Sequence, residues 1–153
     1  EIYTLSLHDA LPIYELGSKP IYEAFKAGAE KVTFTRAATL ADSIAVGSPR
    51  NWAKALRAVR RTDGDMLTVT DEEILSAIPE LARSTGVFGE PAGATAFAGF
   101  RKAAQSGALS SGDRVAVVVT GNGLKDIANA QKSVPPALSV APDLAELESK
   151  LGL

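Results

Sequence analysis

The ten residues Val117 to Asp126, VVVTGNGLKD, constrain this chain more than any other stretch. Val115 and Val117 to Val119 are β-branched and apolar without polar alternation, the composition of a strand buried on both faces of a parallel sheet. Such sheets take ligands at the carboxyl ends of their strands, where Thr120 stands. Gly121 and Gly123 lack the Cβ atoms that would hold a flat or phosphorylated ligand off the backbone. Taken alone, the motif reads equally as a strand-to-helix turn with no ligand.

The rest of the pattern is α/β. Helices are expected at Lys19 to Ala27, Pro49 to Arg61, Asp71 to Ser84 and from Pro91 onward, with strands near Lys31 to Thr35 and at Met66 to Val69. The helix from Asp71 is the best specified: Thr70 can cap it, Glu73 can close a capping box, and Ile74, Ile78 and Leu81 share one face. Pro79 should kink or weaken it. The Pro91 helix carries Ala92, Gly93, Ala94, Ala96, Ala98 and Gly99, so its backbone is expected to lie close to something. That neighbour is either a sheet or, with Glu90 and the first turn at its border, a ligand cleft. Leu144, Leu147 and Leu151 predict a short terminal helix docked by one apolar stripe. Trp52 reads as core, and Arg57, Arg60 and Arg61 as a solvated helix end.

Four runs in order carry a family resemblance: Leu40 to Trp52 (LADSIAVGSPRNW), Val69 to Ile74 (VTDEEI), Gly86 to Phe100 (GVFGEPAGATAFAGF) and VVVTGNGLKD. Together they are similar to the last two fifths of threonine synthases, which turn O-phosphohomoserine and water into threonine and phosphate with pyridoxal phosphate. The resemblance implies the carboxyl-terminal part of a tryptophan synthase β-like fold, an incomplete parallel sheet flanked by helices. It also implies a cytoplasmic, homodimeric parent acting on a small-molecule substrate. The family's Schiff-base lysine, its asparagine and its glycine-rich phosphate loop lie upstream and have no matching position here, so no catalytic residue is carried over. Lys125 reads as a structural or solvent-facing residue. Gly89 stands where the family often has cysteine.

Thr120 falls on the family position whose hydroxyl meets the pyridine nitrogen. A neutral hydroxyl leaves that nitrogen largely unprotonated, whereas a carboxylate would hold a proton on it. The run Leu40 to Pro49 is a second candidate wall, with Ala45 and Gly47 as its cofactor contacts, or else a connector packed over a sheet edge. Two rival readings stay open. One is a threonine or serine dehydratase of the same fold, whose family tends to end this strand in a serine and glycine run. The other is a non-catalytic α/β ligand-binding module.

Glu1 to Ile13, EIYTLSLHDALPI, resembles the in-frame translation of a common sequencing adapter. It is expected to be non-native and to make few specific contacts, leaving Tyr14 to Leu153 as the genuine portion. The 18 acidic and 16 basic residues become 16 and 16 once Glu1 and Asp9 are set aside, which removes any electrostatic case for nucleic acid or membrane. His8, the one histidine, goes with them, and there is no cysteine, so no metal site or triad is expected.

Overall fold

A computed structural model describes residues 11–153; Glu1 to Ala10, most of the adapter-like segment, lie outside the described residues. The sheet consists of two short parallel strands, β1 (Ile13–Glu15) and β2 (Leu67–Val69), registered Ile13 to Leu67, Tyr14 to Thr68 and Glu15 to Val69. Sequence reasoning does not anticipate β1. It begins inside the stretch expected to be inert: the Pro12 carbonyl accepts from the Leu67 amide at 3.2 Å, and Ile13 packs on the core. The expectation of few contacts therefore fails at Pro12 and Ile13.

The helices are α1 (Pro20–Lys26), α2 (Trp52–Arg61), α3 (Asp71–Thr85), α4 (Pro91–Gln105), α5 (Ile127–Ala130) and α6 (Leu144–Leu151). α3 starts where Thr70 Oγ1 accepts from the Glu73 amide at 3.1 Å and Glu73 Oε2 accepts from the Thr70 amide at 2.7 Å. It stops at Gly86, whose φ of 76° suits glycine. Pro79 lies within the helix, which nonetheless runs on to Thr85. Its apolar face, Ile74, Ala77, Ile78 and Leu81, is buried.

Two apolar clusters result. One joins β2 to α3 and α4 through Val69, Ile74, Ala77, Ala92 and Ala98, with Ala41, Ile44 and Phe97 packed in. The other joins α1 to α2 through Ile21, Ala24, Leu56, Val59 and Met66, with Trp52 at its margin as expected. The small residues of α4 do what their size implied. Gly99 leaves room for the Ile13 side chain, and a Cβ on Gly93 would lie 2.8 Å from the Gly121 carbonyl oxygen.

Three expectations are corrected. Lys31 to Thr35 forms no strand; Thr35 instead donates to the Gly47 carbonyl at 3.0 Å in a largely exposed loop. Val115 to Val119 joins no ladder, and Val118 is 68% exposed. A strand exists only through its neighbour's hydrogen bonds, and among the described residues only β1 and β2 supply them to one another. α6 forms, but its stripe is undocked, with Leu144 and Leu151 exposed. The α/β class and the incomplete parallel sheet stand.

The capping box yields a prediction. Thr70→Ala removes the acceptor for the Glu73 amide and should lower unfolding stability by about 1 kcal/mol. Urea denaturation followed by circular dichroism checks it, with Ser76→Ala on the exposed side of the same helix as control.

Candidate functional site

The Gly121-Asn122-Gly123 turn does not float. The Glu90 amide donates to the Gly121 carbonyl at 3.0 Å, and the Gly123 amide donates to the Phe88 carbonyl at 2.9 Å. A Cβ on Gly121 would collide with the Glu90 carboxylate, and one on Gly123 with the Phe88 ring. The missing side chains thus admit protein where a ligand is anticipated. Two of the four motifs are thereby locked together, FGEP onto TGNG.

Beside this lock opens a cleft of about 510 Å³, lined by Thr39, Leu40, Asp42, Ser43, Glu90, Ala92, Lys125, Asp126 and Asn129. Glu90 is nearly fully buried, and its Oε1 lies 3.4 Å from Lys125 Nζ, whose side chain is mostly exposed. Lys125 thus faces solvent as expected, with this ion pair as its tie to the protein. Asn129 closes the far side by donating from Nδ2 to the Leu40 carbonyl at 3.2 Å. Asn122 and Asp126 hold the turn that carries Lys125, accepting from the Leu124 and Asn129 amides respectively.

The opposite wall hangs on partly buried polar anchors that sequence reasoning misses. By sequence, Asp71 is a first-turn helix residue. Its carboxylate also reaches back to accept from Thr39 Oγ1 at 2.6 Å and from the Leu40 amide at 3.1 Å, while Thr39 Oγ1 accepts from the Ala41 amide. Buried Glu15 accepts from the Gly17 amide at 2.6 Å. Loss of solvation raises the Glu15 pKa above the ordinary carboxylate range; the Gly17 amide opposes this, and the Asp71 charge adds to it. The available signal is an acidic residue, Glu15, in an otherwise apolar strand.

The predicted contacts are placed as follows. Thr120 is exposed and makes no hydrogen bond to any described residue; it sits one residue before the anchored Gly121, at the end of a segment that joins no ladder. Ala45 and Gly47 are half-buried. None of the three lines the 510 Å³ cleft, which is formed by their neighbours Leu40, Asp42 and Ser43 on one side and Glu90 and Lys125 on the other. The structure therefore brings the first half of the Leu40 to Pro49 run opposite Glu90 and the Gly-Asn-Gly turn. No group of three or more acidic, cysteine or histidine side chains able to hold a metal occurs among the described residues. No described helix is long and apolar enough to cross a membrane.

The described residues thus form an α/β core with a polar cleft where a glycine turn meets a small-residue helix, the architecture of a cofactor-enzyme fold. The chain belongs to the pyridoxal-phosphate dependent enzymes, whose family pattern matches residues 12–121. It is similar to threonine synthase from Mycobacterium bovis, 40% identical over 153 residues covering 100% of this chain and 42% of that protein. Threonine synthase from Mycobacterium leprae is 43% identical over 115 residues, 75% of this chain and 32% of the relative. That from Methanocaldococcus jannaschii is 41% identical over 111 residues, 72% and 27% respectively. The chain thus spans less than half the length of these curated relatives. A crystal structure of T.th. threonine deaminase superposes with a TM-score of 0.52 at 24% identity, over 65% of this chain and 35% of that one. That likeness establishes the fold.

The family's cofactor is pyridoxal phosphate. The Thr120 hydroxyl is exposed and without a partner among the described residues, which leaves it available to such a group.

Glu15 gives a testable pH dependence. Because its folded-state pKa is raised, its contribution to stability is complete below the ordinary glutamate pKa and is lost as pH rises through the raised value. Glu15→Gln should flatten the stability profile above the ordinary glutamate pKa of about 4.3, the wild type losing ground relative to the variant as pH rises. Parallel profiles for the two proteins in urea titrations would show that Glu15 carries no such linkage.

Proposed function

We propose that the parent of this chain is a threonine synthase, converting O-phosphohomoserine and water to threonine and phosphate, and that Tyr14 to Leu153 form the carboxyl-terminal portion of its catalytic domain. The observation that carries this reading is the ordered occurrence of four motifs in a chain 40% identical over its whole length to a relative of that name. When bound, pyridoxal phosphate supplies the electron sink for the substrate's bond changes. This chain supplies part of the enclosure. Thr120 Oγ1 donates to the ring nitrogen and leaves it largely unprotonated, which tempers the sink. Ala45 and Gly47 offer a surface against which the flat ring rests.

No residue of this chain is assigned the Schiff-base role in this reading. Lys125 is already engaged with the Glu90 carboxylate. The phosphate loop and the lysine belong to upstream parts of the parent, so the chain alone should be inactive. The parent is cytoplasmic and homodimeric, as sedimentation and cell fractionation would test. The deaminase likeness, at 24% identity, does not favour a dehydratase.

Two measurements test this. The full-length enzyme should release phosphate from O-phosphohomoserine; keto-acid formation from threonine in its place would reassign it to the dehydratases. The isolated chain with pyridoxal phosphate should release none. In the full-length enzyme, Thr120→Val preserves shape and removes one hydrogen bond worth about 1 kcal/mol net. Cofactor affinity should fall by roughly fivefold or less, and turnover by more. Full turnover in Thr120→Val would remove Thr120 from the ring-nitrogen position.

A further inference from the structure

Serine shortly before a helix usually serves that helix as its cap. Ser18 does not: the residue preceding Pro20 of α1 is Lys19, and no side chain caps the helix. The Ser18 hydroxyl, 4% exposed, is instead sent across to a run more than two dozen residues away. Its Oγ donates to the Ile44 carbonyl at 3.0 Å and accepts from the Val46 amide at 2.9 Å.

Those same two backbone groups also bond each other, Val46 N to Ile44 O at 2.8 Å, with Ala45 between them at φ −72° and ψ 66°. That is an inverse γ-turn with Ala45 at its apex. A hydroxyl inserted in the mouth of the turn bonds both of its ends at once. Ser18 is itself fixed, since its amide donates to the Glu15 carbonyl at 3.0 Å and the adjoining Gly17 carbonyl accepts from the Ala38 amide at 3.0 Å. The turn cannot open without stranding a buried hydroxyl, whose desolvation is costly.

We propose that Ser18 is a positioning residue: by bracing the Ile44–Val46 turn from behind, it fixes the height at which Ala45 meets the cofactor ring. The proposal rests on the reading of the Leu40 to Pro49 run as a cofactor wall. Ser18 touches neither cofactor nor substrate. It sets the wall as Glu90 sets the turn behind Thr120.

The first arm of the test uses this chain by itself and amide hydrogen exchange by NMR. Ser18→Ala should speed exchange at Val46 about fivefold to tenfold, the loss of one buried acceptor, while Ile78 and Leu81 in α3 stay protected. Ser18→Cys, which keeps a weak donor and acceptor, should lie between and stands in if the alanine variant does not fold. Unchanged Val46 exchange in the folded variant overturns the brace. The second arm uses the full-length enzyme with pyridoxal phosphate and reads the circular dichroism of the bound cofactor. Ser18→Ala should weaken that band with little change in affinity, and Ser18→Cys should partly restore it. A faster Val46 amide with an unaltered band overturns the positioning role. If Thr120→Val still alters the band in that case, the cofactor reading survives; if the enzyme shows no bound-cofactor band at all, that reading fails first.

Discussion

Close backbone approach along α4 is the constraint on which the rest of the molecule depends. Gly93 lets the helix meet the Gly121 backbone, and Gly99 makes room for Ile13. The first contact sets the Gly-Asn-Gly turn and the second sets β1. Two interior glycines cost about 1 kcal/mol each in helix propensity, and the burial of Ala92, Ala94, Ala98 and Ala103 around them offsets that cost. An alanine at Gly93 would push against backbone, which cannot step aside as a long side chain can.

From this scaffold the cleft is set chiefly by polar side chains that bond the backbone, with the Glu90–Lys125 pair as the one ion pair among its lining residues. Three other pairs joining distant elements, Lys26 with Asp65, Arg101 with Glu80 and Lys102 with Glu73, sit at the surface, where such pairs contribute little. Asp71, Thr39, Ser18 and Asn129 are different in kind. Each binds backbone groups or bonds a partner that does, so each specifies where a loop runs. They convert Leu40 to Val46, which has no regular structure beyond a short 3₁₀ turn at Asp42–Ile44, into a defined wall.

What is legible in the sequence follows the range of the interactions involved. The α3 capping box is local, runs only from Thr70 to Glu73, and can be read from the sequence along with its buried face. The small-residue face of α4 announces a close neighbour, although not which one. β1 escapes notice because three residues carry too little periodicity, and because it opens within a stretch set aside as foreign. Gly121 and Gly123 are misleading in the same way: absence of a side chain shows that something approaches, and only the fold shows that it is Glu90 and Phe88. The roles of Ser18, Thr39 and Asp71 are invisible because hydroxyl and carboxylate bonds across 26 to 32 positions leave no trace in composition or spacing.

The valine run shows the same limit from the other side. Val115 to Val119 has the composition of a doubly covered parallel strand, yet composition cannot form a ladder, and a parallel partner always comes from a distant part of a chain. Val115, Val118, Leu124, Ile127 and Leu138 are all exposed, whereas the elements from β1 to α4 bury two clusters. The division falls at the cleft, between Glu90 on the packed side and Lys125 and Asn129 on the open one. The run is divided by what each residue meets: Val118 and Thr120 are exposed, whereas Val119 turns its side chain toward Gly89 and Gly93, where α4 begins.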